Sequence, residues 1–287
     1  AVPPDDGAAP SRSGRPLPVH VTFARIAAFR LVTQQPEALL GFYAAMGFTV
    51  QPSQPIAQDE LAMLGIGGSG TRWPMRLGAA ALDLDCYDVA GRPYPTEADA
   101  ASICFQHLAL VTDDAGAAWA RAAAAGATPV SRGGPVTLPP SSGGVTAIKF
   151  RDPEGHPLEL LCFPDTADTH WRGSGMLGVD HSAIVVRNLA ASKAFYLAHG
   201  LTAGTTTLNQ GAAQAVLDDL EDPIADVVAM MPQFGRSHVE LLHYRQPEHP
   251  ASAPYSVNDV AATRIVWRGA NAALLRDPDG HFHQVGG

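Results

Sequence analysis

Three times along this chain, an apolar run gives way to a segment of helical period that ends on glycine. The clearest copy is Gly178 to Leu201, GVDHSAIVVRNLAASKAFYLAHGL. His181, Ala183 and Val185 share one face under the period-2 rule of a strand, and Leu189, Ser192, Phe195 and Tyr196 then fall at helical spacing. Gly200 stands where a helix would stop. Ala28 to Phe48 and His107 to Ala127 repeat the phrase, and Ala28–Gly47, His107–Gly126 and His181–Gly200 share an offset of 19 residues. Phe42-Tyr43 and Phe195-Tyr196 fall at matching places and read as helix-to-sheet packing. Such self-similarity marks an internal repeat.

A closing strand completes each unit. It is AALDLDCYD with Asp83 in the first, IKFRDPEGHPLELLCF with Glu159 in the second, and SHVELLHY with Glu240 in the third. A fourth, trimmed unit ends the chain. Its strand VAATRIVW and hairpin DPDGHFHQV leave no room for a helix between them, and Gln284 stands where Glu159 stands in DPEGHPLEL.

These landmarks divide the chain. Residues 1–22, rich in Pro, Gly and Ser, read as a disordered tail. A first domain spans 23–163 (modules 23–90 and 102–163), a linker 164–175, and a second domain 176–287 (modules 176–245 and 256–287). The stretch Gln51 to Met75, rich in Gly and Pro, shows no assignable period.

Composition narrows the class. The 287 residues suffice for a sizeable core. A net charge of −9 argues against nucleic acid, and no apolar run approaches membrane-spanning length. Cys86, Cys104 and Cys162 are odd in number and widely spaced, which argues against a disulfide framework and for a reducing compartment. A cytoplasmic location is expected, or a periplasmic one if a signal peptide has been removed. The expected partner is a small-molecule substrate, and the expected state a monomer or homodimer.

With the phrases DHSAIVVRNLAASKAFY, HLALVTDDAGAAW and RDPEGHPLELL in view, nearly the whole chain after Phe23 resembles the vicinal oxygen chelate superfamily. That group includes glyoxalase I, methylmalonyl-CoA epimerase, fosfomycin-resistance proteins and extradiol dioxygenases. The resemblance implies an α+β fold of tandem βαβββ modules, forming two cupped mixed sheets with helices outside. It also implies that each module offers one metal ligand from its first strand and one from its last. Carried onto this sequence, those positions are His107 and Glu159 in module two, and His181 and Glu240 in module three. Module one offers Ala28 and Asp83, and module four about Ala262 and Gln284; neither alanine can ligate.

Two imidazoles and two carboxylates suit one divalent ion such as Zn, Ni, Co, Mn or Fe, and the two carboxylates neutralise it. An enolate or enediolate of a small carbonyl substrate could then be stabilised, as in the glyoxalase and epimerase kind. Glu159 and Glu240 are the candidate catalytic carboxylates, as ligands of which one also moves the substrate proton. An extradiol Fe(II) dioxygenase ranks second. A fourth ligand occupies a position that catechol and O₂ would need, and the tyrosine that the resemblance to such dioxygenases leads one to expect upstream of the closing DPxG turn is not at Lys149 or Phe150. A metal-free binder of the bleomycin-resistance kind ranks third, because four such side chains in an apolar cup are costly without a cation.

Other histidines read more plainly. His156 and His281 are turn residues of their hairpins, and His238 shares the face of Glu240. His283 and Gln284 read as alternation on an edge strand. Either neighbouring modules pair, or two pairs with three and one with four. The second arrangement is favoured, because it gathers all four ligands in one cup and the degenerate positions in the other.

Overall fold

The structure is a computed structural model that describes residues 21–248 and 254–286. Most of the expected tail, and residues 249–253 between modules three and four, lie outside the described residues.

Module one runs β1 (Arg25–Val32), α1 (Pro36–Ala45), β2 (Thr49–Val50), β3 (Gln54–Pro55), α2 (Gln58–Leu64), β4 (Gly70–Leu77) and β5 (Ala80–Tyr87). Module two runs β6 (His107–Thr112), α3 (Ala115–Ala124), β7 (Thr128–Pro129), β8 (Val136–Thr137), β9 (Thr146–Arg151) and β10 (Pro157–Cys162). Module three runs β11 (Met176–Val185), α4 (Leu189–Ala198), β12 (Thr202–Ala203), β13 (Thr207–Gln210), α5 (Ala212–Asp218), β14 (Ile224–Met231) and β15 (His238–Gln246). Module four has β16 (Arg264–Arg268), β17 (Ala273–Arg276) and β18 (Phe282–Val285), with no helix. The stretch that showed no period in the sequence contains α2.

The repeated glycines have a shared conformational reason. Gly47, Gly126 and Gly200 follow α1, α3 and α4 with φ of 86°, 100° and 92°, in the left-handed region that other residues enter at a cost. The helix starts differ. Asp114 caps α3 by accepting from the Ala117 amide at 2.9 Å, and Asn188 caps α4 by accepting from Ala191 at 3.0 Å. In α1, Pro36 occupies the first turn instead.

Two mixed sheets result. One has the order β17-β18-β16-β1-β5-β4-β2, and the other β12-β14-β15-β11-β6-β10-β9-β7. The first joins modules four and one across the antiparallel pair β1–β16. The second joins modules two and three across β6–β11. The cups therefore cut across the contiguous halves 23–163 and 176–287.

Alternation along each strand sorts the side chains. Leu108, Leu110, Leu158 and Leu160 turn to the helices and join one core with Phe42, Tyr43, Ala118, Tyr196 and Trp267. His107, Ala109 and Glu159 turn to the concave face, as the period-2 rule requires. Each large helical tyrosine also ties one module to the next. Tyr43 donates to Asp152 at 3.0 Å, and Tyr196 donates to Asp277 at 3.2 Å. His156 and His281 complete these hairpins, each between its turn aspartate and a backbone carbonyl, of Val32 and Ile103 respectively at 2.9 Å.

His283 and Gln284 depart from the surface alternation expected of them. β18 lies inside its sheet, and both residues are buried. His283 meets the Trp267 indole N–H at 3.1 Å and the Tyr196 hydroxyl at 3.0 Å. No helix among the described residues is long and apolar enough to cross a membrane.

Candidate metal centre

The seam between β6 and β11 builds the centre. Across it His107 stands opposite Ala183, and His181 opposite Ala109, so each imidazole has a methyl group as its neighbour. On the outer flanks, Glu159 of β10 pairs with Ala109 and Glu240 of β15 with Ala183. The four candidate ligands thus occupy two adjacent cross-strand rows, with small residues between them. This is why positions far apart in sequence meet.

A bulge adds a second device. Val179 pairs with Leu110 and His181 with Ala109, so Asp180 is the extra residue between them. Asp180 Oδ2 lies 3.0 Å from His181 Nδ1, and its Oδ1 accepts from the Trp171 indole N–H at 2.8 Å. With Nδ1–H directed at that carboxylate, it is Nε2 of His181 that faces the cup and offers its lone pair once its proton is displaced.

The convergence is close. His107 Nε2 lies 3.1 Å from Glu159 Oε2, and His181 Nε2 lies 3.9 Å from the same oxygen and 3.5 Å from Glu240 Oε2. The ligand atoms of His107, Glu159 and His181 all lie within 4.8 Å of one another. His107 Nδ1 and His181 Nε2 are buried without a hydrogen-bond partner. A buried, unsatisfied imidazole nitrogen between two carboxylates is costly in an empty protein and suited to a cation. By donor type, burial and spacing the residues fit a divalent ion.

Charges in the cup follow this arrangement. Burial disfavours the ionised form of Glu240, but His181 and His238 outweigh it and hold the carboxyl down at about 2. Burial likewise works against the His181 imidazolium, but Glu240, Asp180 and Glu159 outweigh it and hold its pKa at about 9. Burial dominates at His107 and pushes it below its ordinary value. Of the two carboxylates, Glu240 is the more open, with its side chain 25% exposed against 7% for Glu159.

The structure adds residues that the sequence reading passed over. Lys149 of β9 pairs with Glu159 in register, which places it in the row Lys149, Glu159, Ala109, His181, His238. Its ammonium is buried and donates to Asp218 at 2.6 Å. Asp218 also accepts from Gln214 at 2.7 Å and Tyr244 at 2.9 Å. The register of the DPEG hairpin was the available signal for Lys149, whereas nothing local marked α5, which brings Gln214 and Asp218 over the cup. The cavity, about 290 Å³, is also lined by apolar groups such as Leu138, Leu161, Phe163, Leu217 and Val227, and by the polar Ser141, Ser142, Thr207 and Asn209. His238 flanks Glu240 at 3.7 Å and stands beside His181.

The other cup is filled differently. Arg30 pairs with Asp83 and Val266 with Gln284, so the positions equivalent to His107 and His181 are Ala28 and Arg264. The sequence reading put Ala262 at that last position. Ala262 lies before β16, and the register assigns the place to Arg264, two residues later. Arg264 donates to Asp85 at 2.5 Å, Arg72 to Asp85 at 2.7 Å, and Arg30 to Asp83 at 3.0 Å. Glu60 of α2 reaches in to Arg30, Arg72 and Gln284. Burial pushes the Asp85 carboxyl up, but Arg72 and Arg264 outweigh it and hold it low. Three guanidinium groups and three carboxylates so occupy the space that the first cup leaves for an ion.

Comparison with known proteins places this geometry. Residues 22–160 match the family model described as the Glyoxalase/Bleomycin resistance protein/Dioxygenase superfamily. Among curated proteins, no sequence matches. The fold is similar to that of glyoxalase I from Zea mays, with a TM-score of 0.56 at 14% identity over 91% of each chain. It is similarly close to a putative dioxygenase from Bacillus subtilis subsp. subtilis str. 168, with a TM-score of 0.55 at 12% identity over 92% of this chain and 85% of that one. At such identities the likeness is one of fold.

Proposed function

Residues 22–160 of this chain belong to the glyoxalase/bleomycin resistance protein/dioxygenase superfamily, and from that premise we propose that its second and third modules form a metal-dependent lyase or isomerase centre. The observation that carries this reading is the buried His107–Glu159–His181 cluster, with the more open Glu240 3.5 Å from His181 Nε2 and that nitrogen unpartnered among carboxylates. His107, Glu159, His181 and Glu240 would hold one divalent ion. When bound, it supplies Lewis acidity that stabilises negative charge developing on a carbonyl oxygen.

The chain's own groups do the rest. Glu159, buried and held by His107, stays in place. Glu240, the more open carboxylate, takes the proton from the carbon beside the substrate carbonyl. It returns that proton to the neighbouring carbon, or to the other face of the same carbon. The first outcome moves a hydrogen and the second inverts a centre; neither needs a redox partner. The apolar part of the lining, Leu138, Leu161, Phe163, Leu217 and Val227, reduces the water around the reacting groups and so strengthens these interactions. Lys149, locked to Asp218, sets a fixed positive charge beside Glu159.

The test is direct. The purified chain is stripped and reloaded with Zn, Ni, Co, Mn or Fe, and its ion content measured. Small 2-hydroxycarbonyl compounds are then incubated with it in heavy water, and deuterium at the carbon beside the carbonyl is followed by NMR. Metal-dependent exchange supports the reading. Stoichiometric metal without exchange removes the catalytic assignment, and no bound metal leaves a small-molecule binder.

One observation favours a second reading. The tightest cluster, His107, Glu159 and His181, is itself a set of two histidines and one carboxylate, the donor pattern of non-haem Fe(II) oxygenases. Oxygen uptake by the Fe(II)-loaded chain in the presence of catechols separates the two.

A further inference from the structure

Among the described residues, three arginines without a carboxylate partner lie together away from the metal centre. Five segments meet there: the start of β1, the β4–β5 turn, residues 170–172 of the central linker, the start of β11, and the turn before β15. They enclose a cavity of about 410 Å³, larger than the cup. Arg25, Arg172, Arg236 and His170 line it, and no aspartate or glutamate does.

Several contacts hold these segments together. The Phe234 amide donates to the Ala24 carbonyl at 3.0 Å, which seats the β14–β15 turn on the start of β1. A Cβ at Gly235 would lie only 3.7 Å from that of Arg25. The β4–β5 turn closes on β11 so tightly that a Cβ at Gly78 would lie 2.6 Å from the Leu177 carbonyl oxygen. Gly178 admits the Trp171 ring, where a Cβ would come within 2.7 Å. Only glycine permits this floor, so the walls are built to a fixed shape.

The charge arrangement is unusual for this protein. The chain carries a net charge of −9. Elsewhere Arg30, Arg72, Arg92, Arg187, Arg245 and Arg264 each pair with a carboxylate. Among the described residues, Arg25, Arg172 and Arg236 do not; Arg172 reaches only the carbonyl of Trp171, at 2.7 Å. Asp180 lies near, but both its oxygens are engaged by Trp171 and His181. His170 registers the positive charges: burial lowers its pKa, and Arg236 and Arg172 lower it further against the opposing charge of Asp180.

Arginines that line one cavity with no acid among the lining can recognise phosphate and carboxylate oxygens through paired N–H bonds, and Arg25, Arg172 and Arg236, all exposed, are free to turn toward such a group. The volume exceeds what a bare phosphate fills, and Trp171 with His170, ring centroids 4.4 Å apart, offers an aromatic side to the space. We propose that this cavity binds a phosphate ester of a small organic molecule, with Arg25, Arg172 and Arg236 around the phosphate and Trp171 against its organic part. The site is independent of the metal reading, since none of the four candidate ligands lines it.

Isothermal titration of the full-length, metal-free chain tests it, with phenyl phosphate and inorganic phosphate as probes. Saturable binding of both is expected, tighter for phenyl phosphate and weakened by added salt. The double variant Arg25→Gln/Arg236→Gln should weaken phenyl phosphate binding by about tenfold or more, since each charge-assisted contact contributes on that scale. Glu240→Gln should leave it unchanged, which separates this site from the cup. Absence of saturable binding by the wild-type chain overturns the proposal. So does equal binding by a folded double variant, checked by circular dichroism, or loss of binding in Glu240→Gln.

Discussion

Arg264 holds in β16 the position that His181 holds in β11. Each lies two residues before the partner of its closing strand, Val266 opposite Gln284 and Ala183 opposite Glu240. One module thus presents a neutral donor where its counterpart presents a permanent cation, because guanidinium does not deprotonate in proteins. With Arg30 and Arg72 beside it, Arg264 takes the place of a metal in its cup. Elemental analysis should therefore give one tightly held ion per chain, and two would contradict this account.

The same network makes a stability prediction. Asp85 is fully buried and accepts from Arg72 and Arg264. Asp85→Ala leaves two buried guanidinium groups short of a counter-charge, which should cost about 3–5 kcal/mol. Urea unfolding followed by circular dichroism measures it. A change under about 1 kcal/mol would mean that the network contributes little beyond filling space.

The two carboxylates of the metal centre should separate in their effects. Glu240→Gln keeps the size of the side chain and removes its basicity. It should lower proton exchange by about 10²–10⁴-fold with the ion retained. Glu159→Gln, at the deeper and more enclosed position, should lose metal as well as turnover. Deuterium exchange and ion content, measured on both variants, check the division.

Asp180 should act on metal affinity without touching the ion. It lies against His181 Nδ1 at 3.0 Å and is itself held by Trp171. Asp180→Asn should weaken binding by about 10–100-fold, the range for partners of this kind. Competition against a coloured chelator with Co²⁺ gives the number. An unchanged affinity would mean that packing alone orients the ring.

Metal binding should also depend on pH in a stated direction. In the metal-free chain the neighbouring carboxylates hold His181 protonated up to about pH 9, and the ion must displace that proton. Affinity should rise with pH through neutrality and level off near pH 9. The sign follows from a pKa raised in the free protein: below it, binding competes with the proton, and above it the competition ends. His107, pushed below its ordinary value by burial, adds no such dependence above neutrality. Titrations at several pH values, with proton release followed in weak buffer, check both parts.

The repeated strand and helix phrases, the glycines that end them and the matching strand places of His107, Glu159, His181 and Glu240 were legible in the sequence, the candidacy of those four as ligands coming from the family resemblance. Each of those signals is local, or repeats at a fixed offset. Alternation over two residues tells which side chains share a face, and a left-handed turn needs glycine wherever it occurs. The sequence also held a reason to pair module two with module three, in the degeneracy of the other two modules. Only the tertiary structure decided the rest. The register of β16 on β18 sets Arg264 rather than Ala262 at the ligand position, and one slipped residue would have reversed its face. The bulge at Asp180, the helices α2 and α5 over the cups, and the meeting of Lys149 with Asp218 follow from how the strands are stacked side by side. So does the arginine-lined cavity between the two sheets. Contacts between segments so far apart in sequence leave no period in it, because they depend on the packing of whole strands against one another.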